Sequence, residues 1–147
     1  MFHTILLAYN GTREGESALL ACTEIASFAK MDTHLHLLAV ATIPSSVFMT
    51  EGYFPEEVLD AQTKHAQDVL DEGTKHLEDM GFSVTGHLAI GEPVDEICRL
   101  AAGLKADLIV VGHQQTASFA SRWWRGSVGK ALLDYAPCSI FVARTRG

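Results

Sequence analysis

Five short apolar segments, separated by stretches of helical periodicity, constrain the fold of this chain more than any other feature. We predict strands over Ile5–Tyr9, Leu35–Ala41, Phe82–Ile90, Leu108–Val111 and Ser139–Ala143. Four of them are nearly continuous in apolar residues, as expected for parallel strands that are covered on both faces. The third segment alternates apolar with polar residues, which predicts a strand at the edge of the sheet.

Helical patterns occupy the intervals between these strands. The longest predicted helix runs from about Pro55 to Met80, with Pro55 suited to a first helical position and Gly81 to a C-terminal stop. One shorter pattern begins near Ala18 and stops near Met31-Asp32, and two others cover Pro93–Leu104 and Ser127–Tyr135. Alternating strands and helices predict right-handed crossovers and therefore an α/β fold: a doubly wound, open parallel sheet with helices on both faces.

Length and charge restrict the class of protein. A chain of 147 residues, 48% hydrophobic and 20% charged, is typical of one globular domain, here predicted over residues 1–147. The net charge of -7 argues against nucleic acid as a partner, because phosphate backbones are held mainly by clustered Lys and Arg. The first apolar segment is too short for a signal peptide or a membrane span, so we expect a cytoplasmic protein without membrane association.

The three cysteines support the same location. Cys22, Cys98 and Cys138 are odd in number, widely spaced and set among apolar neighbours. This pattern is typical of small core residues and not of a disulfide framework or a zinc site. We therefore expect a reducing compartment.

The loops that follow the predicted strands are the candidate ligand sites. Ligands of open α/β sheets bind beyond the carboxyl ends of the strands, where the strand order reverses, so the loops after Tyr9, Ala41 and Gly112 matter most. The last loop ends at Gly126 and Ser127, where the free N–H groups of a helix N-terminus would hold an anion. Alternatively, Ser127 is only a helix cap.

Several motifs, in this order along the chain, resemble the universal stress protein family. They are Ile5–Thr12, Gly91-Glu92-Pro93, Val110-Val111-Gly112, Gly126-Ser127-Val128 and Ala136–Val142. The resemblance spans the whole chain. It implies a five-stranded sheet of order 3-2-1-4-5, the adenine nucleotide alpha hydrolase-like fold, and a role in stress response or signalling. Many members of the family bind ATP through a G-x2-G-x9-G-[ST] loop and dimerise through the last strand.

The resemblance implies an adenine nucleotide, ATP first, as the ligand, with magnesium only as a companion of the nucleotide. The binding residues expected from it are Ala8, Tyr9, Asn10, Gly11, Val40, Ala41, Gly112, His113, Gln115, Arg125, Gly126, Ser127 and Val128. The adenine is expected near Val40 and Ala41, with Asn10 and Gly11 beside it. We assign no catalytic residue and no metal ligand, and expect at most a slow ATPase. A homodimer is expected through Ile140, Phe141 and Val142 on the last strand, whose open apolar edge invites association.

The nucleotide loop departs from the family pattern at two points. Gln115 stands at the second glycine position, and ten residues instead of nine separate it from Gly126. Arg122 and Arg125 would supply charge-assisted bonds to phosphate in place of the lost glycine contact. Asn10 stands where an acidic residue is usual, and so offers no carboxylate to a metal. A nucleotide-free dimeric regulator of the same fold therefore stays open as an alternative. An ATP-using enzyme of a related fold is disfavoured, because its signature loops are absent.

Three further features carry weaker signals. His34 and His36 share a strand face at a spacing that suits metal, but no third ligand is evident nearby in the sequence, which favours a role in starting the strand. His113 fits a solvated loop residue better than a phosphate or metal contact. Trp123 and Trp124 fit a partner-binding surface and a cover over their own loop equally well.

Overall fold

The chain forms a parallel sheet with helices packed on it. The computed structural model describes residues 2–9, 19–20, 22–24, 33–42, 56–113 and 132–144. Its elements are β1 (Thr4–Ala8), β2 (His34–Thr42), α1 (Glu56–Asp79), β3 (Val84–Gly91), α2 (Pro93–Leu104), β4 (Leu108–His113) and β5 (Ser139–Arg144). Residues 19–20, 22–24 and 132–135 are also helical.

The sheet has the predicted topology. Its five strands are all parallel, in the order β3-β2-β1-β4-β5. Ile5 at the centre lies beside Leu35 of β2 and Leu108 of β4. Ile5, Leu6 and Leu7 are fully buried, as a near-continuous apolar strand covered on both faces should be.

A separate apolar core lies on each face of the sheet. On one face, Leu35 and Leu37 of β2 pack with the α1 residues that include Leu70 and Leu77. On the other, Leu6 and Leu38 pack in a cluster that contains the α2 residues Ile97 and Ala101. Because successive strand residues point to opposite faces, the strand interiors supply side chains to both clusters. The prediction of helices on both faces is confirmed.

The two long helices end where their sequences predict. α1 carries Glu56 and Glu57 in its first turn, next to the positive end of the helix dipole. It stops before Gly81, whose φ of +90° lies in the left-handed region that favours glycine. α2 begins with Pro93 and is capped by Lys105 at a φ of 55°. Pro55 lies outside the described residues.

The two edge strands differ in how well the sequence predicted them. β3 is at an edge, as its alternating pattern predicts. β5 forms the other edge, and the expectation that it is covered on both faces is wrong, since Phe141 is 40% and Val142 36% exposed. An apolar strand at a sheet edge has neighbours on one side only, so its sequence does not fix its burial.

The three cysteines are free thiols that lie in or against the apolar core, where they were predicted. Cys22 is buried, and burial raises the pKa of its thiol to about 12. Cys98 and Cys138 are half-buried against the α2 side of the core, and burial raises the pKa of both. All three are therefore protonated at neutral pH. None of the helices in the described ranges combines the length and apolar character needed to cross a bilayer.

Candidate functional site

Among the described residues, the central strand ends earlier than both of its neighbours at the carboxyl edge of the sheet. β1 ends at Ala8, which lies beside Leu38, whereas β2 continues to Thr42. Leu7 lies beside Val110, and β4 continues to His113. At about 3.3 Å per residue, β2 projects about 13 Å and β4 about 7 Å beyond the end of β1. We call the position beyond the end of β1, between residues 40–42 of β2 and residues 112–113 of β4, the β1 notch.

The notch lies at the point where the strand order reverses. The chain moves from β1 to β2 and β3 on one side, and later returns to place β4 and β5 on the other. In doubly wound folds the connections on the two sides of such a switch point run in opposite directions, and a crevice opens between them. In doubly wound folds this crevice is the usual ligand position.

The side chains at the base of the notch are buried in the core. Ala8 and Tyr9 are 4% and 5% exposed. The Tyr9 ring lies under α1, where a Cβ atom added to Gly73 would be 2.9 Å from it. The Tyr9 N–H donates to the Leu38 carbonyl at 2.9 Å. A ligand above β1 would therefore meet small or backbone groups at this position, and not the Tyr9 ring.

The predicted site residues divide into two groups. Ala8, Tyr9, Val40 and Ala41 surround the base of the notch, and Gly112 and His113 form the end of β4. Val40 is half-buried and Ala41 is 2% exposed, so Ala41 would reach a ligand through its backbone only. The rest of the predicted set lies outside the described residues: Asn10, Gly11, Gln115, Arg125, Gly126, Ser127 and Val128. Arg122, Trp123 and Trp124 lie outside them as well.

At the opposite end of the same strands, the Asp107 carboxylate joins the start of β1 to the residue that precedes β4. The backbone N–H groups of His3 and Thr4 donate to Asp107 Oδ2 at 2.9 and 2.8 Å. These two bonds lower the pKa of the Asp107 carboxyl, since they stabilise its ionised form. The Asp107 N–H in turn donates to the Thr4 carbonyl at 2.8 Å. The starts of β1 and β4 are thereby held side by side.

The structure brings a third histidine to the pair noted in the sequence. His36 Nδ1 and His87 Nε2 are 2.9 Å apart, and the ring centroids of His34 and His36 are separated by 4.7 Å. His34 is the first residue of β2, and its ring bonds the hydroxyls of Ser83 and Thr85. His87 lies on β3, so only the pairing of β2 with β3 reveals the cluster.

Comparison with known proteins identifies the family. A sequence model of the universal stress protein family matches residues 1–144. The chain belongs to the universal stress protein family. A curated universal stress protein of Thermus aquaticus, from the 3′ region of a sulfhydrylase gene, is 30% identical over 98% of this chain and 100% of that relative.

Solved structures of universal stress proteins share this fold, which is the adenine nucleotide alpha hydrolase-like fold. The Lactobacillus plantarum protein UspA superimposes with a TM-score of 0.74 at 24% identity, over 97% of this chain and 98% of that one. A Burkholderia pseudomallei family member gives a TM-score of 0.72 at 24% identity, over 96% and 95% of the two chains.

Three further structural neighbours in the family were solved with adenine nucleotides. One is a universal stress protein in complex with cAMP, with a TM-score of 0.67 at 21% identity. An Arabidopsis thaliana family member has AMP bound, with a TM-score of 0.67 at 17% identity. An Archaeoglobus fulgidus universal stress protein is in complex with dAMP, with a TM-score of 0.65 at 18% identity. Each covers 97% or more of this chain.

Proposed function

We propose that this universal stress protein binds an adenine nucleotide, ATP first, in the β1 notch and acts in the cytoplasm as a stress-response or signalling regulator. The observation that carries the proposal is the early end of β1 between two longer strands. It supplies a crevice at the switch point with small groups at its base. The AMP, cAMP and dAMP complexes of structural neighbours support an adenine nucleotide as its occupant.

The base and the phosphates would occupy different sides of the notch. Val40 and Ala41 at the end of β2, with Asn10 and Gly11, would face the adenine and ribose. Gly112 and His113 at the end of β4 lead into the loop that carries Gln115, Arg125, Gly126, Ser127 and Val128, which would hold the phosphates. A helix N-terminus offers unpaired N–H groups and the positive end of a dipole to such an anion. Magnesium would enter only with the nucleotide.

Calorimetric titration of ATP into wild type and two loop variants tests this site. Gly126→Asp places a side chain and a negative charge against the phosphates, so binding should be lost. Gln115→Gly should tighten binding if the glutamine side chain obstructs the loop. Gly103→Asp is the matched control, because it adds the same charge at an exposed α2 position where an added Cβ meets nothing within 4 Å. Equal ATP affinity in all four proteins would contradict the assignment.

A nucleotide-free regulator of the same fold is the second candidate. It is favoured by Gln115 at the second glycine position and by the extra residue before Gly126. Mass spectrometry of small molecules released from the denatured, purified protein separates the two candidates. Co-purified adenine nucleotide supports the nucleotide-binding protein. If no nucleotide is released and ATP shows no binding in the calorimetric titration, the nucleotide-free regulator is supported.

We also propose that β5 forms a homodimer interface in either case. Its Phe141 and Val142 are exposed, Ile140 is half-buried, and the strand edge away from β4 has no partner among the described residues. An open apolar edge favours pairing with a second copy. Light scattering at micromolar concentration should give a dimer, and Val142→Lys should give a monomer. Leu133→Lys, at a residue 64% exposed, is the matched control and should stay dimeric. A monomeric wild type would contradict the proposal.

A further inference from the structure

Three histidines gather on the α2 side of the sheet, near its β3 edge and away from the β1 notch. His34 and His36 are alternate residues of β2 and so share a face. His87 on β3 lies beside Leu38, one step further along the same face. The His36 and His87 ring centroids are 5.1 Å apart. The cluster plays no part in the nucleotide site proposed above.

The spacing of the two central imidazoles matches one kind of metal site. His36 Nδ1 and His87 Nε2 are 2.9 Å apart. Two nitrogens that each lie about 2.05 Å from one metal ion are about 2.9 Å apart at a right angle and about 3.3 Å apart at a tetrahedral angle. The pair is therefore spaced as adjacent ligands of an octahedral or tetragonal ion. Such geometries with nitrogen ligands are typical of Ni²⁺ and Cu²⁺.

The hydrogen bond between the two rings has to give way to the metal. It uses one N–H. When a metal replaces it, that proton moves through water to the other nitrogen of its own ring, so each ring can offer the metal an unprotonated nitrogen. Burial, with the neighbouring imidazoles of His34 and His87, lowers the pKa of His36 to about 4. Burial, with His34, also lowers the pKa of His87.

His34 does not complete the site in its present position. Its two ring nitrogens lie 2.8 Å from the Ser83 hydroxyl and 2.7 Å from the Thr85 hydroxyl. Across the described ranges, no three His, Cys, Asp or Glu side chains are arranged around a common metal position. We propose that His36 and His87 form a two-imidazole site for a divalent transition metal with right-angle coordination, such as Ni²⁺, and that water fills its other positions. Because β3 is an edge strand, solvent and the ion reach His87 from the side of the sheet.

Nickel titration of untagged protein at pH 7.5 tests the site. The reference protein carries His3→Gln, because His3 is exposed and lies outside the proposed site, so its imidazole would add unrelated Ni²⁺ binding. Calorimetry should show one Ni²⁺ per chain, bound more tightly than Zn²⁺. His36→Gln and His87→Gln should each weaken Ni²⁺ binding by about tenfold or more. His65→Gln and His76→Gln are the matched controls, since both residues are exposed on α1 across the sheet, and they should leave the affinity unchanged.

A second measurement keeps the result independent of the folding of the variants. In the reference protein, octahedral Ni²⁺ is paramagnetic and should broaden the NMR signals of His36 and His87 before those of His65 and His76. Circular dichroism of each variant confirms that it is folded. Ni²⁺ affinity in His36→Gln and His87→Gln equal to that of the reference protein, or broadening at the α1 histidines alone, would overturn the proposal.

Discussion

Gly73 lies on the face of α1 that packs against the sheet. A Cβ atom added there would be 2.8 Å from Leu37 Cδ2 and 2.9 Å from two ring carbons of Tyr9. Real Cβ atoms essentially never approach other heavy atoms so closely, so one of the neighbours must move. Leu37 is fully buried and Tyr9 is 5% exposed, which leaves little space for movement. We therefore expect Gly73→Ala to destabilise the protein.

The size of the effect follows from two opposing terms. Overpacking a filled core costs about 1–3 kcal/mol. Replacing glycine with alanine inside a helix recovers about 1 kcal/mol of helix propensity. Because both neighbours are buried, we expect the upper part of the packing range and a net loss of about 1–2 kcal/mol in the free energy of unfolding. For a chain of this size, that lowers the Tm by about 3–6 °C.

Gly103→Ala is the matched control for this prediction. Gly103 also lies in a helix, but an added Cβ there meets nothing within 4 Å. This change should raise stability by about 0.5–1 kcal/mol, since only the propensity term acts. Urea denaturation followed by circular dichroism measures both variants. Equal free energies of unfolding for Gly73→Ala and Gly103→Ala would refute the close approach of α1 to Leu37 and Tyr9.

Three further predictions concern single groups. The folded-state pKa of His36 lies below its unfolded value of 6.5, so its contribution to stability is complete above pH 6.5 and is lost as the pH falls towards 4. His36→Gln should reduce the change in the urea denaturation midpoint across that pH range. A pH dependence equal to that of wild type would contradict this. Asp107→Asn should lower the Tm at pH 7. It should also remove the Asp107 part of the acid destabilisation expected of wild type, which begins as the pH falls through the unfolded value of 3.8 and is complete below the folded-state pKa of this carboxyl, lowered by the bonds from Thr4 and His3; equal acid profiles would contradict it. Lys105→Gly relieves a left-handed residue at a helix end and should raise stability by about 0.5–1 kcal/mol, whereas Gly81→Ala should lower it by about 1 kcal/mol. Changes in Tm of the opposite sign would contradict the left-handed backbone conformations of Lys105 and Gly81.

The elements of the fold were predictable because their signals are local. The near-continuous apolar residues of β1 and β4 predicted buried parallel strands, and the alternation in β3 predicted an edge. Pro93 and Gly81 marked helix ends because each restricts or frees its own backbone. The burial of β5 was not predictable in this way, since apolar residues suit both a covered strand and an interface edge. The single-domain assignment stays a prediction.

The candidate site was predictable only in part. The switch-point rule brought Ala8, Val40 and Gly112 to one end of the sheet, where the structure places them. The rule did not foresee that β1 ends several residues before β2, since strand ends depend on pairing. His87 was missed as a neighbour of His36 because 51 positions separate them, and their contact depends on the register of β2 against β3. The alternating polar residues of β3 were the signal that could have drawn attention to it.

The central position of β1 has a consequence for how the chain is made. One side of β1 pairs with β2, the other with β4, and β4 leaves the ribosome about 3–13 seconds after β2 at ordinary rates of synthesis. During that interval β1 has an open edge on the side that β4 later covers, and its Ile5, Leu6 and Leu7 are side chains that are fully buried in the finished protein. Such an edge templates pairing with other chains. We therefore expect the nascent chain to depend on protection, by a chaperone or by the ribosome surface, until residues 108–113 emerge and pair with β1.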